Sequence, residues 1–210
     1  MKTSFDEIRR MSFRALDAGR AAQGVDEDSA LTTAWLEASG LPGLRLLGEA
    51  LDITDPKDRQ PTLTPHLESK NAKVDATGAS AVFLGPGLID LMRYLASVHG
   101  EGARLTVDRL SHAGFLTGFV GQAREQGESI TVSPADQPLA ATSVVLSCTA
   151  SSDAPQWDQL RAARQKSFQE GIDADAADFE RVYAYSRKIL VPETEESRLS
   201  GAGAGLTDND

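Results

Sequence analysis

A single cysteine in a chain of 210 residues excludes an intrachain disulfide and a thiolate metal cluster. Cys148 stands in the apolar run "SVVLSC", where a small buried side chain is the expected role. Basic residues are also short, 21 Lys and Arg against 31 Asp and Glu, for a formal net charge of -10. That balance lacks the positive footprint by which proteins hold nucleic acid or an anionic membrane surface, so neither is an expected partner. No long apolar run follows the basic residues of the amino terminus, and none approaches the roughly 20 residues needed to span a bilayer. The expected setting is a reducing cytoplasm. Sharp catalytic and metal signatures are missing as well. Gly85-Pro86-Gly87 lacks the P-loop lysine and serine and the three-glycine dinucleotide spacing. His66 has no second histidine at metal-ligand spacing, and the acids Asp173, Asp175 and Asp178 lack the glycine and distal glutamate of a calcium loop. No metal site is expected.

What is present describes an ordinary globular protein, 40% hydrophobic and 25% charged. The length most simply gives one domain over residues 1–210. Within it, residues 1–51 read as helical, 78–150 as a sheet core, 155–192 as helical and 193–210 as a glycine-rich tail. The organising stretch is "AVFLGPGLIDLMRYLASV", residues 81–98. It reads as a short buried strand, a tight turn at Gly85-Pro86-Gly87, and a helix with Leu88, Leu91, Met92 and Leu95 on one face.

Before it, Ser4 and Glu7 form a capping-box pattern that predicts a helix over residues 5–22. Gly24 ends that helix and Asp26 caps the next, through Leu31, Trp35 and Ala38. The pair reads as a helical hairpin anchored to the sheet by Trp35. A short helix through Leu44, Leu47 and Leu51 follows, then a long proline-bearing loop from Asp52 to Gly78. After the organising stretch, alternation at Leu105 and Val107 predicts a strand, Ser111 starts a helix through Phe115 and Phe119, and Ile130–Val132 and Ala141–Cys148 are further strands. Two helices complete the chain, one after Pro155 and one capped by Asp173. The fold class expected is α+β or α/β, a single mixed sheet with packed helices and an amino-terminal helical hairpin.

Candidate ligand-binding residues are Arg198, Ser197, His112, Arg109 and Asp90. His112 opens a helix three residues after Arg109, a proton carrier beside a cationic anchor. Asp90 sits in the first turn of the predicted organising helix, ahead of Arg93. Ser197 and Arg198 precede "GAGAG" and supply donors suited to an anion, while the small residues let backbone amides approach it. Strand ends and helix starts converge in α/β domains, and ligands bind there.

The segments "SFDEIRRMSFRALDAGRAAQG" and "AWLEASGLPG" near the start, "VPETEESRLSGAGAGLTDND" at the end and, more weakly, "LGPGLIDLM" resemble a family of bacterial proteins of about this length with no assigned activity. The resemblance implies a class and no mechanism. Two functions follow from the residues: a binding or accessory subunit, docking through acidic surface and amphipathic helices on a partner protein or a second copy, or an enzyme acting on a small anionic metabolite.

Overall fold

The computed structural model describes residues 1–53, 63–68, 70–133, 142–149 and 155–189. Seven strands and seven α-helices are described: β1 (Lys2–Thr3), α1 (Phe5–Ala18), α2 (Val25–Ala38), α3 (Gly43–Leu51), β2 (His66–Glu68), β3 (Asn71–Asp75), α4 (Ala81–His99), β4 (Arg104–Asp108), α5 (Leu116–Glu125), β5 (Ile130–Ser133), β6 (Val144–Cys148), α6 (Pro155–Glu170), β7 (Ile172–Asp173) and α7 (Ala176–Ser186). A 3₁₀ turn, Ala113–Phe115, leads into α5.

The central sheet is mixed and has the order β2-β3-β4-β6-β5. β3 and β4 are parallel, pairing Val74 with Val107, and α4 is their crossover. β6 runs antiparallel to both β4 and β5. The mixed sheet with packed helices is the expected class, and α1 and α2 form the expected hairpin. A separate two-stranded sheet joins β1 to β7, so residues at the two ends of the described chain lie together.

The organising stretch differs from its sequence reading. Residues 81–99 are one continuous helix, with no strand and no turn at the glycines. The strand that feeds it is β3, inside the segment read as a loop, where Ala72 and Val74 face inward. Three interactions explain the continuity. Ser80 caps α4, its hydroxyl accepting the Val82 N–H at 3.1 Å. Pro86 removes the amide that would bond the Val82 carbonyl one turn back. The Ser29 hydroxyl of α2 donates to that orphaned oxygen instead, at 2.6 Å, in a buried position. Gly85 is a packing residue: a Cβ there would lie 2.2 Å from the Phe119 ring of α5. The same device recurs on α5, where a Cβ at Gly121 would lie 2.4 Å from the Trp35 indole. The helices of this layer approach until glycine is the only residue that fits.

Trp35 is 5% exposed. It anchors the hairpin to helix α5 rather than to the sheet, with its Nε1–H donating to Glu125 at 3.3 Å and Arg164 of α6 lying 4.7 Å over its ring. α4 is long and apolar enough to cross a membrane by length and composition. Its Val82, Phe83, Leu88, Ile89, Met92 and Leu95 nevertheless belong to the protein core. Cys148 is half-buried at the end of β6. Asp175 caps α7 by accepting from Ala177 and Asp178, whereas Asp173 lies in β7 and pairs with Lys2.

Candidate functional site

The carboxyl ends of the parallel strands β3 and β4 face the loops 76–80 and 109–112. Each loop takes left-handed backbone at residues other than glycine: Thr77 (φ 54°) in the first, Arg109 (φ 52°) and His112 (φ 54°) in the second. Such conformations are held only where surrounding bonds fix them. Those bonds are present. Ser80 and Ser111 form a parallel bridge, Ser111 N–H donates to the Ala79 carbonyl at 2.9 Å, Ala81 N–H to the Ser111 carbonyl at 2.8 Å, and Gly78 N–H to the Arg109 carbonyl at 2.7 Å. The two loops are laced together beyond the ends of their strands.

His112 sits at the centre of this lacing, with 16% of its side chain exposed. Its Nδ1 lies 2.9 Å from the Ser80 hydroxyl and its Nε2 lies 3.7 Å from Glu49 of α3. Burial holds its pKa below the ordinary histidine value; the Glu49 carboxylate works against that shift and the Arg181 guanidinium adds to it. The imidazole is therefore neutral at pH 7. α7 closes the other side, with Arg181 Nε donating to Asp52 at 3.1 Å and the Tyr185 hydroxyl donating to Asp52 at 2.8 Å. Burial pushes the Asp52 carboxyl up, but the Arg181 and Tyr185 hydrogen bonds outweigh it and leave the pKa below normal.

Two further charge pairs line the strand ends. Arg109 Nε donates to Asp75 at 2.8 Å, and Asp108 accepts from Ser143 at 2.6 Å while pairing with Lys73 at 2.8 Å. The Arg109 bond holds Asp75 ionised below the usual carboxylate range, and Lys73 does the same for Asp108. At the amino end of α3, Glu37 accepts the Leu44 N–H at 2.8 Å. Burial raises its pKa to about 7, opposed by the Leu44 bond and reinforced by Asp178 and Asp175.

Of the residues picked from sequence, Arg109 and His112 share the 109–112 loop. Asp90 has a different environment on α4: it pairs with Arg93, which is held in turn by Glu128 at 2.7 Å. Ser197, Arg198 and the glycine-rich segment lie outside the described residues. Ser80, Glu49, Glu37 and Arg181 gave no sequence signal, because their surroundings arise from loops and helices that meet only in three dimensions. Among the described residues, no group of three or more His, Cys, Asp or Glu side chains is arranged to hold a metal ion.

The α4 amino terminus also answers whether this turn cradles a dinucleotide phosphate. The Ala81 amide bonds Ser111, the Val82 amide bonds the Ser80 hydroxyl, and the Phe83 and Leu84 amides bond the Ser80 carbonyl. A phosphate at a helix start needs free amides, and these four are engaged.

Solved structures with a similar fold include a dehydrogenase from Sinorhizobium meliloti, with TM-score 0.62 and 12% identity over 89% of this chain and 99% of that one. A malate dehydrogenase from Entamoeba histolytica matches with TM-score 0.57 and 8% identity over 92% and 99% of the two chains. A malate dehydrogenase from Pyrococcus horikoshii OT3 matches with TM-score 0.49 and 16% identity, over 63% of this chain and only 39% of that one. At these identities the likeness is one of fold. No curated protein sequence matches the chain. Residues 3–78, which include both amino-terminal segments that carry the sequence resemblance, match the family described as "Protein of unknown function (DUF3726)".

Proposed function

We propose that the protein is an enzyme acting on a small anionic metabolite, with His112 exchanging a proton with a ligand oxygen at the carboxyl ends of β3 and β4. The observation that supports this most directly is the His112 imidazole held between Ser80 and Glu49 and partly open to solvent, with burial favouring its neutral form. A neutral histidine held in one orientation is suited to general acid–base work. Arg181 acts on His112 electrostatically, and its guanidinium carries more donors than the Asp52 carboxylate takes, so a ligand carboxylate has donors to meet. The fold likeness to a protein described as a malate dehydrogenase is in keeping with a small carboxylate ligand.

The Ser80 hydroxyl is fully buried and serves as a helix cap. It is therefore not an available nucleophile, and proton transfer rather than covalent catalysis is the chemistry this site supports. The test is calorimetric titration and turnover with a panel of 2-hydroxy and 2-oxo acids, each with and without a nicotinamide dinucleotide. Binding and turnover that fall at least tenfold in His112→Gln are expected. Saturable binding without turnover would assign the non-catalytic binding role instead, and binding unchanged by His112→Gln would move the site elsewhere.

A further inference from the structure

The hydrogen-bond inventory around Ser80 determines where the proton of His112 resides. Ser80 has one hydroxyl hydrogen to give. Its oxygen already accepts the Val82 N–H at 3.1 Å, and the residue is 0% exposed, so water does not take the hydrogen. The remaining described partner within reach is His112 Nδ1, at 2.9 Å. A buried hydroxyl without an acceptor is costly, whereas a hydroxyl that both accepts and donates is satisfied. The other end of the ring gives the same answer. Nε2 faces the Glu49 carboxylate across 3.7 Å. A bare nitrogen lone pair aimed at a carboxylate is repulsive, while an N–H aimed at it is attractive.

We propose that Ser80 is a positioning residue that fixes His112 as the Nε2–H tautomer, so that the site presents one N–H donor on the side of Glu49, open to a ligand oxygen that approaches beside the carboxylate. A separation of 3.7 Å is too long for a hydrogen bond. The N–H is thus oriented by Glu49 without being consumed by it, and a ligand oxygen can take it at normal distance. Glu49 also faces Arg181 of α7, which limits how far its charge raises the basicity of the ring. The loop lacing described above, with left-handed backbone at His112, stops the ring from escaping by rotation of its own segment. The role of Ser80 in orienting a ligand rests on the function proposed for His112; the tautomer itself does not.

The experiment is long-range ¹H–¹⁵N correlation NMR of ¹⁵N-histidine-labelled full-length protein at pH 7.5, with a pH titration of the same signals. The wild type is expected to show a protonated Nε2 and a bare Nδ1 at His112. Ser80→Thr keeps both the cap and the hydroxyl and should reproduce that pattern. Ser80→Ala removes the donor to Nδ1 and should raise the His112 titration midpoint, because the neutral ring loses its partner. Glu49→Gln should lower the midpoint. If Ser80 were a helix cap alone, Ser80→Ala would leave the His112 midpoint where it is. A wild-type ring protonated on Nδ1, or a Ser80→Ala midpoint unchanged from wild type, would overturn the proposal. If Ser80→Ala does not fold, the wild-type and Ser80→Thr spectra decide it. The expected tautomer with no affinity for any acid in the panel would reject the proposed function and leave the tautomer assignment standing.

Discussion

The helix layer formed by α2, α4 and α5 and the corner where α3 and α7 meet the strand ends are built on opposite principles. In the layer, glycine removes side chains so that helices nearly touch: Gly85 lies under Phe119, and Gly121 under Trp35. In the corner, side chains stay and are matched by charge: Asp52 with Arg181 and Tyr185, Glu37 with the Leu44 amide, and His112 with Ser80 and Glu49. The layer holds its shape by dispersion and the exclusion of water, which tolerate no added volume. The corner holds its shape by hydrogen bonds whose strength changes with pH. A pH change therefore acts on the corner while the layer serves as its fixed mount.

Removing the largest side chain of the layer gives the largest expected effect. Trp35→Ala should cost about 3–5 kcal/mol, read from urea melts, since a cavity is left between α2, α5 and α6. A loss below about 1 kcal/mol would show that the layer collapses around the gap and is softer than described.

The corner should respond to charge instead. Glu37 has a folded-state pKa of about 7 against an ordinary 4.5. Its protonated form is the one the fold accepts, so its contribution to stability is complete below about 4.5 and is lost as pH rises to about 7. Glu37→Gln keeps an oxygen for the Leu44 amide and carries no charge. It should stabilise the protein by roughly 2–3 kcal/mol at pH 8 and have little effect at pH 4. His112 has the opposite sign: its depressed pKa makes its contribution present above 6.5 and lost as pH falls. Thermal melts from pH 4 to 9 on Glu37→Gln and His112→Gln separate the two slopes. Parallel curves would remove the distinction between mount and corner.

Gly85→Ala places a methyl group against the Phe119 ring and should cost about 1–3 kcal/mol. The same substitution at exposed Gly87, where nothing lies within 4 Å, should stabilise or leave the melt unchanged. The smallest of the expected losses falls where the two principles meet. Ser29→Ala leaves the buried Val82 carbonyl without a donor and should cost about 1–2 kcal/mol. In a Pro86→Ala background the restored helix amide supplies that bond, so the Ser29 effect should shrink. A double-mutant cycle with no coupling would reject the compensation.

Much of the scaffold was legible from residue patterns. Capping by Ser4, the α1–α2 hairpin, and β4, β5 and β6 follow from short-range chemistry. The misreading was centred on Gly85-Pro86-Gly87, where composition imitates a turn. Neither the Ser29 hydroxyl that repairs the proline break nor the Phe119 ring that requires the glycine is visible in one dimension. β3 was missed because its inward residues are only Ala72 and Val74, and its strand character is completed by pairing with β4. At the candidate site, the placement of Arg109 and His112 directly after a strand was legible. Their partners were not, since Ser80 is 32 residues before His112 and Glu49 lies on a different helix.

The pairing of β1 with β7 has a consequence for how the chain is assembled. Thr3 meets Ile172, and α1 lies along α7, so one of the two main partners of the first helix is synthesised long after it. Contacts so distant in sequence form late and slow the final step of folding. Until then Ile8, Met11 and Leu16, all buried in the finished protein, have α2 as a partner but not α7. A ribosome-bound chain halted before residue 172 should carry a hairpin with one apolar flank open, the stage at which chaperone dependence and aggregation are decided.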